Sequence, residues 1–190
     1  MDQTTINIHQ ELIDACKKGD RSAQFKIYKL YYKAMYNTSL RIVNDTTEAE
    51  DIMQDSFLDA FRRLSSYTGE GTFGSWLKRI VINNSLDSLR KEKEIVSLEE
   101  EEVDFSEELP DYNEDDIQAQ VLEVKAAISE LPEDYRVVLS LFLLEGYDHE
   151  EISEILKISN NLSRTRFVRA KQKVHSIIMA KRFQRTVQNN

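Results

Sequence analysis

The sequence predicts an all-α protein built of two small helical domains, and three observations carry that expectation. Only 5 Gly and 2 Pro occur among 190 residues, too little turn chemistry for a many-stranded sandwich or barrel. Leu, Glu, Lys, Ile and Ala are abundant. Apolar residues return every three or four positions, which is the period of one helix face. A content of 41% hydrophobic and 31% charged residues is that of a globular chain. No apolar run approaches the roughly 20 residues that a membrane span needs.

In chain order, Leu12, Ile13 and Cys16 mark a short helix that stops at Gly19-Asp20. Phe25, Tyr28, Tyr32, Met35, Ser39 and Ile42 mark a longer one. After Asn44-Asp45 a third runs through Ala49, Met53, Phe57, Ala60, Leu64 and Tyr67, with Thr46 or Thr47 as its cap. Ser65 to Thr72 reads as a loop. A fourth helix follows through Phe73, Leu77, Ile80 and Val81 to Leu89. In the second half Ile117, Val121, Val124, Ile128 and Leu131 lie on one helix face. Pro132 starts the next helix, which ends at Gly146. Asp148 and Glu151 are spaced as a capping box for a very short helix ending at Leu156. The turn Lys157-Ile158-Ser159 then leads into a long basic helix with Ser163, Phe167, Ala170, Val174 and Ile177 as its apolar face.

Charge divides the chain more sharply than hydropathy does. The formal net charge is −9, yet eleven acids and no base lie between Glu99 and Asp116. The rest of the chain holds 23 acids against 25 bases, and from Lys157 to Asn190 there are nine bases and no acid. Like charges extend a chain, and Pro110 discourages helix before it. The acidic run therefore reads as a flexible linker, giving domains at 1–94 and 117–182, a linker at 95–116 and a frayed tail at 183–190.

A short helix, a tight turn and a longer basic helix form the outline of a helix-turn-helix, whose second helix enters the major groove of DNA. Ile152, Ile155 and Ile158 would pack the two helices together. Asn160, Asn161, Arg164 and Thr165 project from the leading turns, within reach of base edges, while Arg166, Arg169 and Lys173 suit phosphates. A plain helical hairpin with a solvated basic face is the alternative.

Several segments together resemble the extracytoplasmic-function sigma factors of bacterial RNA polymerase. Leu131-Pro-Glu-Asp-Tyr-Arg136, Glu145-Gly-Tyr147, Glu150-Glu-Ile-Ser-Glu-Ile-Leu156 and Arg164-Thr-Arg-Phe-Val-Arg-Ala-Lys171 are similar to region four of that family. Ala49-Glu-Asp-Ile-Met-Gln-Asp-Ser-Phe57, Phe73-Gly-Ser-Trp-Leu-Lys-Arg-Ile80 and the stretch from Asn83 to Arg90 resemble region two. The resemblance implies a helix docking on the beta-prime clamp through Asp51, Gln54 and Asp55, with Phe57 either at that interface or in the core. It implies a minus-ten element received by the loop from Ser65 to Thr72 and by Lys78, Arg79, Asn83, Asn84 and Arg90. A mobile polar loop over such a helix offers donors and cations to unpaired strands. Trp76 reads as a core aromatic, with base stacking as its alternative. The helix-turn-helix residues would then read the minus-thirty-five element. Implied partners are core polymerase (beta-prime clamp and beta flap), promoter DNA and an anti-sigma factor.

Three places depart from the family's pattern. Ile82 stands where a basic residue is usual, which makes that surface less cationic, and Lys157 replaces the common turn glycine. Asn161-Leu162-Ser163 stands in place of Gly-Thr-Val. The acidic linker reads as a tether, and also as a nucleic-acid mimic for a basic polymerase channel. His9, His149 and His175 are scattered, and no phosphate-binding Gly loop or nucleophile motif is present. The sequence therefore predicts no catalytic residues, no metal ligands and no cofactor. A single cysteine, Cys16, fits a reducing cytoplasm, as does a start without a secretory pattern. The competing function is a helix-turn-helix transcriptional regulator that does not bind core polymerase.

Overall fold

The computed structural model describes residues 9–93 and 117–188, so the acidic linker and the last two residues lie outside the described chain. Among the described residues every regular element is helical. The chain divides into two compact units, within Met1–Ser97 and Leu98–Asn190.

The first unit holds α1 (Gln10–Lys17), α2 (Arg21–Val43), α3 (Thr46–Arg62), a 3-10 turn (Leu64–Ser66) and α4 (Phe73–Lys93). Asp20 starts α2 by accepting from the backbone N–H groups of Ser22 (2.8 Å) and Ala23 (3.2 Å). The cap of α3 is Asp45, not Thr46 or Thr47: its carboxylate accepts from the Glu48 N–H at 2.8 Å. A carboxylate also meets the positive end of the helix dipole, which a threonine hydroxyl does not exploit as well. Helices α2, α3 and α4 pack on one another, and α1 lies on α2. Ile13, Ile27, Met35, Phe57, Phe73, Leu77 and Val81 form the centre of this core. Each such side chain contributes about 1.5–3 kcal/mol through burial. Where α2 meets α4, the wholly buried Ser39 and Ser85 hydroxyls lie 3.0 Å apart, and Ser85 also donates to the Val81 carbonyl. Small residues there let the two helices approach, and their hydroxyls satisfy each other.

Two further sequence expectations fail in this unit. Phe25 is 61% exposed, because Ala23 and Ile27 on a neighbouring row take the core side of α2. The third helix ends at Arg62, and Leu64 and Tyr67 reach the core from the 3-10 turn and the residue after it. Gly74 has a packing reason: a Cβ there would come within 3.1 Å of the Tyr31 ring.

The second unit holds α5 (Ile117–Ser129), α6 (Glu133–Leu143), α7 (His149–Leu156) and α8 (Asn160–Gln188). Helix α8 packs on the other three. Ile128, Leu131, Leu139 and Ala170 are at the centre, with Tyr135, Phe167, Val174 and Ile177 against them. The capping box is present as the spacing predicts, with Asp148 and Glu151 each holding the other's backbone. Arg136, only 8% exposed, donates to the Leu131 carbonyl and so fixes the corner between α5 and α6.

The apolar face read on α5 is divided between core and surface. Ile128 and Leu131 are in the core, but Val121 and Val124 are 45% and 39% exposed. Glu123 is turned toward α8 instead, where it accepts from Arg182 Nε (3.1 Å) and Nη2 (2.7 Å) and lies 3.7 Å from Arg185. The Arg182 hydrogen bond is the main reason that the Glu123 carboxyl is held below the ordinary carboxylate range. With Lys181 paired to Glu130, these contacts support the end of α8, which stays helical through Gln188. Residues 183–188 lie within this helix.

Lys157 ends α7 in the left-handed conformation (φ 57°, ψ 42°), as the family's glycine at this turn suggests. A side chain there is strained by roughly 1–2 kcal/mol, while glycine costs more chain entropy. Lys157→Gly should therefore stabilise the protein by about 0.5–1 kcal/mol. A rise in the urea midpoint checks this, and a fall would contradict it.

Candidate nucleic-acid interface and docking ridge

Each helical residue steps by about 100°, which sorts the candidate residues on α8 into faces. Ser163 and Ala170 point into the core and are wholly buried, with Phe167 beside them. On the opposite side Asn161, Arg164 and Thr165 are exposed, with Asn160 and Arg169 half-buried at its two margins, while Lys173 is exposed on the flank beyond Arg169, about 180° round the helix from Arg164. Arg164 Nε donates to Asn160 Oδ1 at 2.8 Å, so the guanidinium and the amide offer their remaining donors side by side. Such donors can pair with acceptors on a guanine edge. Val168, 44% exposed, lies between Arg164 and Asn161 on this face. It offers an apolar surface suited to a thymine methyl.

Arg166 does not join this surface. Its Nη2 donates to Asp134 Oδ2 at 2.8 Å, with the arginine side chain only 16% exposed. Arg166 thus ties α8 to the first turn of α6, and Asp134 competes with a phosphate for its guanidinium. His149 lies at the other side of α8, its Nδ1 2.9 Å from Ser163 Oγ. Burial, then the charge of Arg164, pulls the imidazole below its ordinary pKa, and Asp148 opposes the shift.

The fourth helix separates its candidates similarly. Arg79, Asn83 and Arg90 are exposed and fall within about 40° of one another on the helix. Arg90 pairs with Asp87 at 2.8 Å in an exposed contact, which holds it weakly. Lys78 lies about 100° round toward α2. Asn84 turns toward α3, where its Nδ2 donates to the buried Ser56 Oγ at 3.0 Å. Neither shares the surface of the other three. Ile82 is wholly buried, so it does not reduce the charge of that surface.

The preceding loop is drawn together by Tyr67, whose hydroxyl donates to the Gly71 carbonyl at 3.0 Å. Thr72 Oγ1 accepts from the Ser75 N–H at 3.1 Å and starts α4. Gly69 and Gly71 supply the positive φ values of this turn, 90° and 79°. Trp76 packs against the core, its ring centroid 5.5 Å from those of Tyr67 and Phe73, as the core reading expects.

On α3, Asp51, Gln54 and Asp55 are all exposed on one ridge, and Phe57 is core at 3% exposure. Leu58 was not singled out from the sequence. It is 53% exposed and sits on the same ridge, an apolar side chain among the polar ones. The signal was available, since Leu58 is out of step with Met53, Phe57 and Ala60. Asp55 also borders a groove of about 380 Å³ between α3 and α4, lined by Asp59, Asn84, Asp87 and Lys91 among others. Among the described residues no group of three or more His, Cys, Asp or Glu is arranged to hold a metal ion. No described helix is long and apolar enough to cross a membrane.

Comparison with known proteins matches both units. The family model for sigma-70 region 2 matches residues 27–95, and that for sigma-70 region 4 matches residues 122–174. The chain is 32% identical over 171 residues to the ECF RNA polymerase sigma factor SigW of Bacillus subtilis, covering 84% of this chain and 91% of that protein. It is 28% identical over 178 residues to the RNA polymerase sigma-H factor of Pseudomonas aeruginosa, covering 87% and 91%. Among solved structures, CnrH in complex with the cytosolic domain of CnrY has a TM-score of 0.55 at 20% identity, covering 90% of this chain and 97% of that one. Sigma factor RpoE of Bartonella quintana, in complex with the anti-sigma factor NepR, also has a TM-score of 0.55 at 20% identity, covering 81% and 95%. At that identity these structures speak for the fold alone.

Proposed function

The chain belongs to the extracytoplasmic-function (ECF) class of the sigma-70 family, and from that membership we propose how its residues divide the work of an RNA polymerase sigma factor. The domain 1–94 docks on the beta-prime clamp of core polymerase through the α3 ridge of Asp51, Gln54 and Asp55, with Leu58 as its apolar centre. Carboxylates around an apolar side chain suit a basic, partly apolar partner helix. The same domain receives the minus-ten strand on Arg79, Asn83 and Arg90 of α4, together with the loop that precedes that helix. The domain 117–182 reads the minus-thirty-five element with Asn160, Asn161, Arg164 and Thr165, while Arg169 and Lys173 meet phosphates and the beta flap holds the domain in place. The segment 95–116 tethers the two and raises the effective concentration of each at the promoter. The chain acts in the cytoplasm as a binding subunit, without catalysis of its own. An anti-sigma factor is its expected regulator, since CnrH and RpoE were each solved with a partner protein, in the second case the anti-sigma factor NepR.

The observation that carries this reading is the joined Asn160–Arg164 pair on the exposed face of α8, in a segment that matches sigma-70 region 4. A regulator that ignores core polymerase would leave the region 2 match over residues 27–95 without a use. Salt dependence tests the DNA side. Promoter affinity of the holoenzyme should fall by about 0.9 log units per log unit of salt for each phosphate neutralised. A slope of several units is expected, and a flat response would overturn the DNA assignment.

A further inference from the structure

His149 has no part in the contacts assigned so far, yet it touches every helix of the DNA-reading motif. It is the first residue of α7, where Asp148 accepts from the N–H groups of Glu150 and Glu151, both at 2.8 Å. Its imidazole stacks on Phe142 of α6, with centroids 4.6 Å apart and planes at 27°. It meets Phe167 of α8 edge-on at 5.4 Å, and the two phenyl rings are themselves 4.4 Å apart. Nδ1 lies 2.9 Å from the hydroxyl of Ser163, which is wholly buried. Ser163 directly precedes Arg164 and sits within the first turn of α8.

An apolar pair in these two places would fill the same space without a polar requirement. A buried hydroxyl, by contrast, costs free energy when it has no partner, so it favours the one seating of α8 that brings it to the imidazole. Stacked phenyl rings tolerate a small rotation, whereas a hydrogen bond weakens steeply as its angle opens. The difference matters at the DNA surface. A rotation of α8 by about 20° would carry a group roughly 6 Å from the helix axis about 2 Å sideways. That would take the Arg164 guanidinium out of reach of a base edge.

We propose that His149 and Ser163 form a positioning pair whose hydrogen bond sets the rotation of the recognition helix, so that Asn160 and Arg164 meet the bases. The pair acts on specificity through α8 and touches no DNA itself. The inference rests on the reading of α8 as the DNA-reading helix.

The test uses the full chain with two duplexes: a promoter selected by the holoenzyme from a genomic library, and a scrambled duplex of equal length. Ser163→Ala and His149→Phe should each lower the ratio of specific to non-specific affinity about tenfold. Non-specific affinity and its salt slope should stay unchanged. The double variant should be no worse than the worse single one. His149→Asn, which keeps a polar atom at the place of Nδ1, should retain more of the ratio than His149→Phe, which keeps the ring. Four results would overturn the proposal: an unchanged ratio, specific and non-specific affinity falling in step, additive effects, or Phe outperforming Asn. Arg164→Ala, measured alongside, separates the two levels. If it too leaves the ratio unchanged, the reading of α8 fails; if it lowers the ratio while the pair does not, only the positioning role fails.

Discussion

Replacing Asp51 and Asp55 together by arginine should reduce capture of core polymerase by a factor of 100 or so, while the affinity of the second unit for duplex DNA stays as it was. Both side chains are exposed and share one ridge of α3. Neither contributes to the core, so the stability cost should stay within about 0.5 kcal/mol per site. Binding responds differently. A like charge set against a basic partner surface costs several kcal/mol, and about 1.4 kcal/mol corresponds to a factor of ten. Leu58→Ala should weaken capture by a smaller factor, since it removes apolar area without adding repulsion. Pull-down of core polymerase with each variant, with thermal melts as the folding control, makes the comparison. Capture equal to that of the unaltered chain would refute the placement of the docking ridge on α3.

The second large effect separates two arginines that the sequence treats alike. Arg164→Ala should cost about 1–3 kcal/mol of discrimination at the upstream element, or roughly ten- to hundredfold in affinity, and leave the melting temperature in place. Arg166→Ala should do the reverse. It removes a partly buried ion pair with Asp134 that links α8 to α6, and a cost of about 1–2 kcal/mol is in the range of such changes. For a unit of this size that corresponds to roughly 4–8 °C per kcal/mol in melting temperature. Measured well below the transition, its DNA affinity should change less than that of Arg164→Ala. If Arg166→Ala loses promoter affinity with no change in stability, the ion pair is not its main role.

That contrast shows what a sequence can and cannot carry here. Helical spacing placed Phe57, Leu77, Ile128 and Ala170 in the core and gave the capping box at Asp148 and Glu151, because both patterns are local. It also brought Asn160, Arg164 and Thr165 to the leading turns of α8. What escaped it depends on partners distant in the chain. Arg166 is tied to Asp134, 32 residues away, and Asn84 to Ser56, 28 residues away. Both read as donors for DNA because nothing nearby in sequence competes for them. The same holds for α8 beyond Arg182, where a position at the chain end suggests fraying. Its support comes from Glu123 on α5 and Glu130 in the turn just after it. Leu58 is hidden in the sequence for the opposite reason: it lies beside Phe57, and only its 53% exposure separates it from a core residue.

Transcription in vitro tests the central claim most directly. Bare core polymerase, given this chain and a library of genomic promoter fragments, should begin transcripts at a small set of discrete positions that it does not use alone. Those starts should vanish with Asp51→Arg/Asp55→Arg and weaken with Arg164→Ala. If the folded chain binds neither core polymerase nor changes where transcription starts, the assignment of its two helical units to promoter recognition is wrong.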